Sequence, residues 1–233
     1  MIRRRSNRTR QIPLDLGHPV GLSRDDLVVT PSNRDAVALI DRWPHWPSPV
    51  AVLVGPAGTG KSHLATIWRE RTGAASVDMA SAARLPEVAA ESPVLIEDVD
   101  AGPLDETMLF HLINVVRGAG SHMLLTARRH PSAWGVALPD LASRLRAATV
   151  VDVAEPDDAL LAGVLSKLFA DRQVQVEPHV VRYLVQRMER SLAAASRTVE
   201  TLDRLALERR VPITRQLAAE ILPAIDGGDA ELD

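Results

Sequence analysis

Apolar residues follow two rhythms along this chain. Up to Val153, short apolar runs alternate with stretches in which apolar positions recur every three or four residues. Val50–Val54 is wholly apolar, as expected of a strand buried on both faces. Further strands are predicted over 75–79, 94–96 (running into Glu97-Asp98), 122–126 and 149–153. Helical spacing is predicted over 61–71, 82–90, 104–117 and 138–145, with Leu109, Leu112, Ile113 and Val116 on one face of the third. An earlier helix opens at Pro31-Ser32-Asn33, carries Ala36, Val37, Leu39 and Ile40 on one face, and breaks at Trp43-Pro44. This alternation predicts an α/β fold, a five-stranded parallel sheet covered on both faces. After Glu155-Pro156 only the helical period remains, over 157–171, 178–189, 192–209 and 214–222. The expected organisation is a tail at 1–24, an α/β unit at 25–155, a small all-α unit at 156–223 and an acidic tail at 224–233.

Composition narrows the function class. Of 233 residues, 46% are hydrophobic and 24% charged, which excludes a disordered or collagen-like chain. No apolar window approaches the roughly 18 residues of a membrane span, so no membrane partner is expected. The absence of cysteine excludes disulfides, thiolate zinc sites, iron–sulfur clusters and a cysteine nucleophile, and is compatible with a cytoplasmic location. The net charge of −3 hides an asymmetry: taking the five arginines of residues 1–10 from the 27 basic residues leaves 22 against 30 acids. The remainder is therefore acidic, which argues against a large nucleic-acid face. The basic tail lacks the apolar segment of a secretory signal and reads as a disordered arm, a transit peptide being the alternative. Only Lys61 and Lys167 are lysines, so each invites a reason.

Gly55-Pro56-Ala57-Gly58-Thr59-Gly60-Lys61-Ser62 matches the phosphate-loop pattern G-x-x-x-x-G-K-[ST] in full, between a predicted strand and helix. The glycines let backbone N–H groups converge on phosphate, the new helix adds its positive end, Lys61 is placed for the β- and γ-phosphates and Ser62 for Mg²⁺. His63 follows on the same turn. Downstream, the strand ending in Glu97-Asp98 offers a carboxylate for Mg²⁺ and one that orients water, the two roles being interchangeable; Asp100 reads as a loop residue. The seven histidines show no metal-ligand spacing, and no G-x-S-x-G elbow occurs. Trp43, Trp46, Trp68 and Trp134 read as packing residues.

With these residues in place, the chain resembles AAA+ ATPases of the DnaA clade, most of all the Hda and HdaA branch of regulators that inactivate DnaA, from about Gln11 to Leu222. Gln11-Ile12-Pro13-Leu14-Asp15-Leu16 is similar to that branch's docking motif for the sliding clamp, the β subunit of the replicative polymerase. Gln11, Ile12, Leu14 and Leu16 would be the contacts. Asp25–Val29 with Pro31-Ser32-Asn33 is similar to the clade's N-terminal box, which places adenine by backbone contacts around Val28 and Val29. Leu138–Leu145 matches the branch's arginine-finger segment, making Arg144 the finger, with Arg146 its neighbouring alternative. The all-α unit resembles the AAA+ lid.

The pattern departs from DnaA in two places. The resemblance aligns Arg128 with an aspartate sensor and Ala193 with the lid's sensor arginine, Arg197 and Arg190 being the substitutes within reach. Poor intrinsic turnover on bound ADP or ATP is therefore implied. Only Pro223–Asp233 stands where DnaA continues into a helix-turn-helix domain, so an initiator that reads origin sequence is not expected. The resemblance implies a regulator that binds adenine nucleotide and the clamp, meets DNA only through the clamp, and stimulates hydrolysis on DnaA. A homo-oligomer is compatible with it. The alternative is a self-contained AAA+ ATPase that loads a helicase or remodels a transposition complex.

Overall fold

The structure, a computed structural model, describes Arg24, residues 27–78 and residues 85–226. In chain order its elements are α1 (Arg34–Arg42), β1 (Val50–Val54), α2 (Lys61–Thr72), β2 (Ala75–Ser76), α3 (Leu85–Glu91), β3 (Val94–Ile96), α4 (Glu106–Gly118), β4 (Met123–Ala127), α5 (Pro139–Arg146), β5 (Thr149–Asp152), α6 (Asp158–Asp171), α7 (Pro178–Val185), α8 (Leu192–Arg209) and α9 (Arg215–Asp226). A single 3₁₀ turn, Pro131–Ala133, precedes α5.

The five strands form one sheet in the order β2-β3-β4-β1-β5. Every pairing is parallel, and β1 lies between β4 and β5 with all five residues buried. Alternate β1 residues serve opposite faces. Val50, Val52 and Val54 join Leu109, Leu112, Ile113, Val116, Leu141 and Leu145 on one side, whereas Ala51 and Leu53 join Val37, Ile40, Leu64 and Trp68 on the other. That is why β1 carries no polar residue. The register sets Val54 beside Ala127 and Ile96 beside Leu125, so the chain leaves β1, β3 and β4 side by side along one edge of the sheet. In open parallel sheets this carboxyl edge is where ligand sites form.

A third apolar core is built wholly from α6–α9 and their connections, around Leu161, Leu165, Phe169, Leu184, Val199 and Leu202. No sheet residue enters it.

Several predicted boundaries are corrected. The strand expected over 75–79 is only Ala75–Ser76. Residues 79–84 lie outside the described residues, and the helix expected from 82 is Leu85–Glu91. The helix expected to reach 189 stops at Val185: Ser191 has to cap α8, and its N–H bonds the Glu189 carbonyl, so the chain turns before that point. Conversely, α9 runs on to Asp226 and absorbs residues 224–226 of the expected tail. Among the described residues no helix is long and apolar enough to cross a membrane.

Trp68 is fully buried on α2 and stacks on Trp46 with ring centroids 5.4 Å apart. Trp68→Ala empties the centre of that layer and is expected to cost about 3–5 kcal/mol of stability, read from urea denaturation.

Candidate functional site

Between β1 and α2 the chain passes from Gly55 to Gly60 in a loop that only glycine sustains at two points. Gly58 and Gly60 have φ of 76° and 96°, in the left-handed region. Space forbids a side chain there as well. A Cβ at Gly58 would collide with the Ser191 hydroxyl, and one at Gly60 would lie 2.9 Å from Leu192 Cδ1. The loop therefore touches the start of α8, and the Leu192 N–H donates to the Gly58 carbonyl at 2.8 Å. Two helix N-termini, those of α2 and α8, meet on one loop.

Lys61, the first residue of α2, is 6% exposed. Its Nζ donates to the carbonyls of Gly55 and Pro56, each at 2.7 Å. Burial pushes its pKa below the ordinary lysine value; the charges of Asp98 and Asp100 oppose that shift and Arg128 adds to it. The charges at the ends of β3 and β4 thus act on the loop's ammonium.

Asp98 follows β3 in a left-handed conformation (φ 46°), which aspartate tolerates better than most residues. Its N–H donates at 2.8 Å to the hydroxyl of Thr126, a fully buried residue of β4. Glu97 and Asp98 are both exposed at the strand end, as is Ser62 on α2. One hydroxyl with one or two carboxylates fits Mg²⁺ shared with a phosphate, an oxygen set completed by ligand and water. Among the described residues no three His, Asp or Glu side chains cluster as a closed metal cage.

Asp100 differs from the plain loop residue expected. Its side chain is 2% exposed, and its oxygens accept the N–H groups of Arg128 (2.9 Å) and Arg129 (2.8 Å). Burial alone would raise its pKa, but these two bonds and the Arg129 side chain outweigh it and hold the carboxyl below its ordinary value.

Beside the loop lies a cleft lined by Leu27, Val28, Leu64, Leu160, Val164, Leu168 and Leu192, with Asn33, Thr59, Gly60, His63, Lys167 and Ser196 among them. Asn33 braces its rim, donating to the Val28 carbonyl and accepting from the Thr30 N–H, both at 2.8 Å. Gly163 lets Val28 settle onto α6, since a Cβ there would lie 2.8 Å from Val28 Cγ1. Loop and cleft together offer apolar walls for a flat ring and an amide-lined, cationic seat for an anion.

Of the residues singled out in the sequence, Val28, Thr59, Gly60 and His63 line the cleft. Gly55, Pro56, Gly58, Lys61 and Ser62 form the loop and helix start beside it. Val29 is 44% exposed and outside the lining. Arg197 pairs with Glu189 at 3.6 Å and Arg190 with Asp158 at 2.6 Å. Arg144, half-buried in the last turn of α5, is outside the cleft lining, and its guanidinium forms no ion pair or hydrogen bond among the described residues. Gln11, Ile12, Leu14 and Leu16 lie outside the described residues. Thr126, Ser191 and most of the apolar lining were not legible as site residues. Lys167 carried one signal, the scarcity of lysine.

No family model matches the chain. It is 26% identical over 189 residues to an uncharacterized protein of Haemophilus influenzae, covering 75% of this chain and 81% of that one. It is 28% identical over 113 residues to the chromosomal replication initiator protein DnaA of Herpetosiphon aurantiacus, covering 48% of this chain but only 24% of the initiator. Domain III of the Thermotoga maritima replication initiation protein DnaA superposes with a TM-score of 0.73 at 18% identity, over 89% of this chain and 99% of that domain. AMPPCP-bound DnaA from Aquifex aeolicus gives 0.65 at 18% identity, over 77% and 64%. The chain has the AAA+ phosphate-loop fold of DnaA domain III.

Asp100→Asn replaces one acceptor oxygen by a donor facing an N–H. Because the folded carboxyl titrates below the unfolded value of about 3.9, its contribution is complete above that value and is lost as pH falls through the folded pKa. The variant is expected to be about 1–3 kcal/mol less stable at pH 7. Chemical denaturation followed below about pH 4 should show the difference closing.

Proposed function

We propose that this chain is a nucleotide-binding regulator of replication initiation that docks on the sliding clamp and stimulates ATP hydrolysis on DnaA through Arg144. The observation that carries this reading is the Arg144 guanidinium on α5, which forms no ion pair or hydrogen bond among the described residues and stands outside the lining of the chain's own cleft. A permanently charged, planar group that makes no such contact among the described residues suits transition-state stabilisation in a neighbour's site. The likeness to DnaA domain III supports the link to replication initiation.

In this reading ADP or ATP occupies the cleft and loop, its base between Val28 and the apolar residues of α6. Its phosphates lie on Gly55–Gly60 and Lys61, with Ser62 and Glu97 or Asp98 holding Mg²⁺. The chain's own turnover is weak. Arg128 stands at the acidic sensor position, Ala193 at the cationic one, and Arg190 and Arg197 are engaged with Asp158 and Glu189. Gln11, Ile12, Leu14 and Leu16 dock in the clamp's pocket, so DNA is met through the clamp.

Hydrolysis by ATP-bound DnaA, followed with and without this protein and DNA-loaded clamp, tests the reading. Arg144→Ala should bind nucleotide and clamp normally yet lose the stimulation, an effect of about 10³-fold or more where a finger is fully engaged. Full stimulation by that variant overturns the role of Arg144. Deleting residues 11–16 should abolish clamp capture in a pulldown, and retained capture removes the docking motif. Lys61→Ala should weaken ADP binding by about ten- to a hundredfold in calorimetry, the worth of a charge-assisted contact.

A further inference from the structure

The helix that carries Arg144 starts without a cap of its own. Its N-cap residue is Leu138, whose side chain accepts no hydrogen bond, and its first residue is Pro139, which has no N–H. The two preceding amides are satisfied from elsewhere in the chain. Glu106 Oε1 accepts from the Ala137 N–H at 2.9 Å and Oε2 from the Leu138 N–H at 2.6 Å. Glu106 opens α4, so one carboxylate on a rigid helix dictates where α5 begins. At the other end of the same connection, Asp100 holds the N–H groups of Arg128 and Arg129. Between the two points Trp134 Nε1 donates to the Arg129 carbonyl at 2.8 Å, closing the connection on itself. Asp100 lies in the segment that joins β3 to α4, and Glu106 is the first residue after that segment.

We propose that Glu106 is the positioning residue for Arg144, setting the orientation of α5 and hence where the guanidinium arrives. The inference rests on the finger reading of Arg144 given above. The fold of α5 does not depend on Glu106: Leu141 and Leu145, 0% and 4% exposed, anchor the helix in the sheet's core. Ala137 is exposed, so its amide finds water when the carboxylate is altered. What is lost is direction, and direction matters because a displacement of about 1 Å at a reacting centre can cost about a hundredfold in rate.

Full-length Glu106→Gln, Arg144→Ala and the double variant are compared in DnaA hydrolysis with DNA-loaded clamp, together with amide hydrogen exchange at Ala137 and Leu138. Glu106→Gln is expected to bind ADP as the unaltered chain does. It should lower the maximal stimulated rate by about tenfold or more, with the half-saturating concentration unchanged and exchange at the two amides accelerated. In the double variant it should add nothing to Arg144→Ala. A normal maximal rate in Glu106→Gln, when Arg144→Ala has lost stimulation, overturns the proposal while leaving the finger intact. So does a loss that resides wholly in the half-saturating concentration. If Arg144→Ala itself stimulates fully, the finger reading falls and the positioning role falls with it.

Discussion

The hydrogen bond from the Leu192 N–H to the Gly58 carbonyl joins two parts of the molecule whose apolar cores are separate. It exists because position 58 has no Cβ: the backbone approach that brings Ser191 and Leu192 onto the loop would be blocked by any side chain. The glycines of the loop therefore answer two demands. They supply left-handed backbone for the turn, and they leave room for α8. One consequence is electrostatic. The unsatisfied amides at the start of α2 and the positive end of α8 both bear on the loop, which favours an anion more than one helix terminus does. The other is thermodynamic. The cleft beside the loop takes walls from α2, from the 27–33 segment, and from α6 and α8. A ligand that binds only when these walls are together stabilises the seating of the helical bundle on the sheet by RT ln(1 + c/Kd), where c is its free concentration.

The sheet was readable because its central strands leave no ambiguity. β1 and β4 are buried on both faces, so they write continuous apolar runs, and the helices between them keep a strict apolar face. β2 is a two-residue edge strand, too short for period or burial to mark its end. The end of α7 failed for another reason. Arg187, Met188 and Glu189 are compatible with one more helical turn, but after Val185 the bonds become mixed, with Arg187 and Met188 both donating to the Leu184 carbonyl, and the Ser191 N–H then turns back on the Glu189 carbonyl to start α8.

Within the site, legibility follows sequence locality. The loop Gly55–Ser62 is one contiguous motif whose spacing is the chemistry. Glu97 and Asp98 end an apolar strand, so they were visible as an acidic strand end. Asp100 was not distinguishable from any acid in a loop, because its partners lie at 128 and 129 and become neighbours only when β3 pairs with β4. Thr126 is hidden for the same reason: a threonine inside an apolar run looks like a β-branched strand residue, and its bond to the Asp98 amide needs the pairing. Lys167 shows an intermediate case. Composition marked it as unusual, but only the packing of α6 against the 27–33 segment places it at the cleft.

The segment from Asp98 to Glu106 gathers these threads. Asp98 sets its charge against Lys61, Asp100 fixes the exit of β4, and Glu106 fixes the entry of α5. Four of these contacts are carboxylate-to-amide bonds, a class worth about 1.5–3 kcal/mol each. Each acid holds two neighbouring backbone amides, one on each oxygen, so a rotamer change at either acid breaks two bonds at once. A displacement of the acidic strand end that keeps these four bonds carries the β4–α5 connection with it.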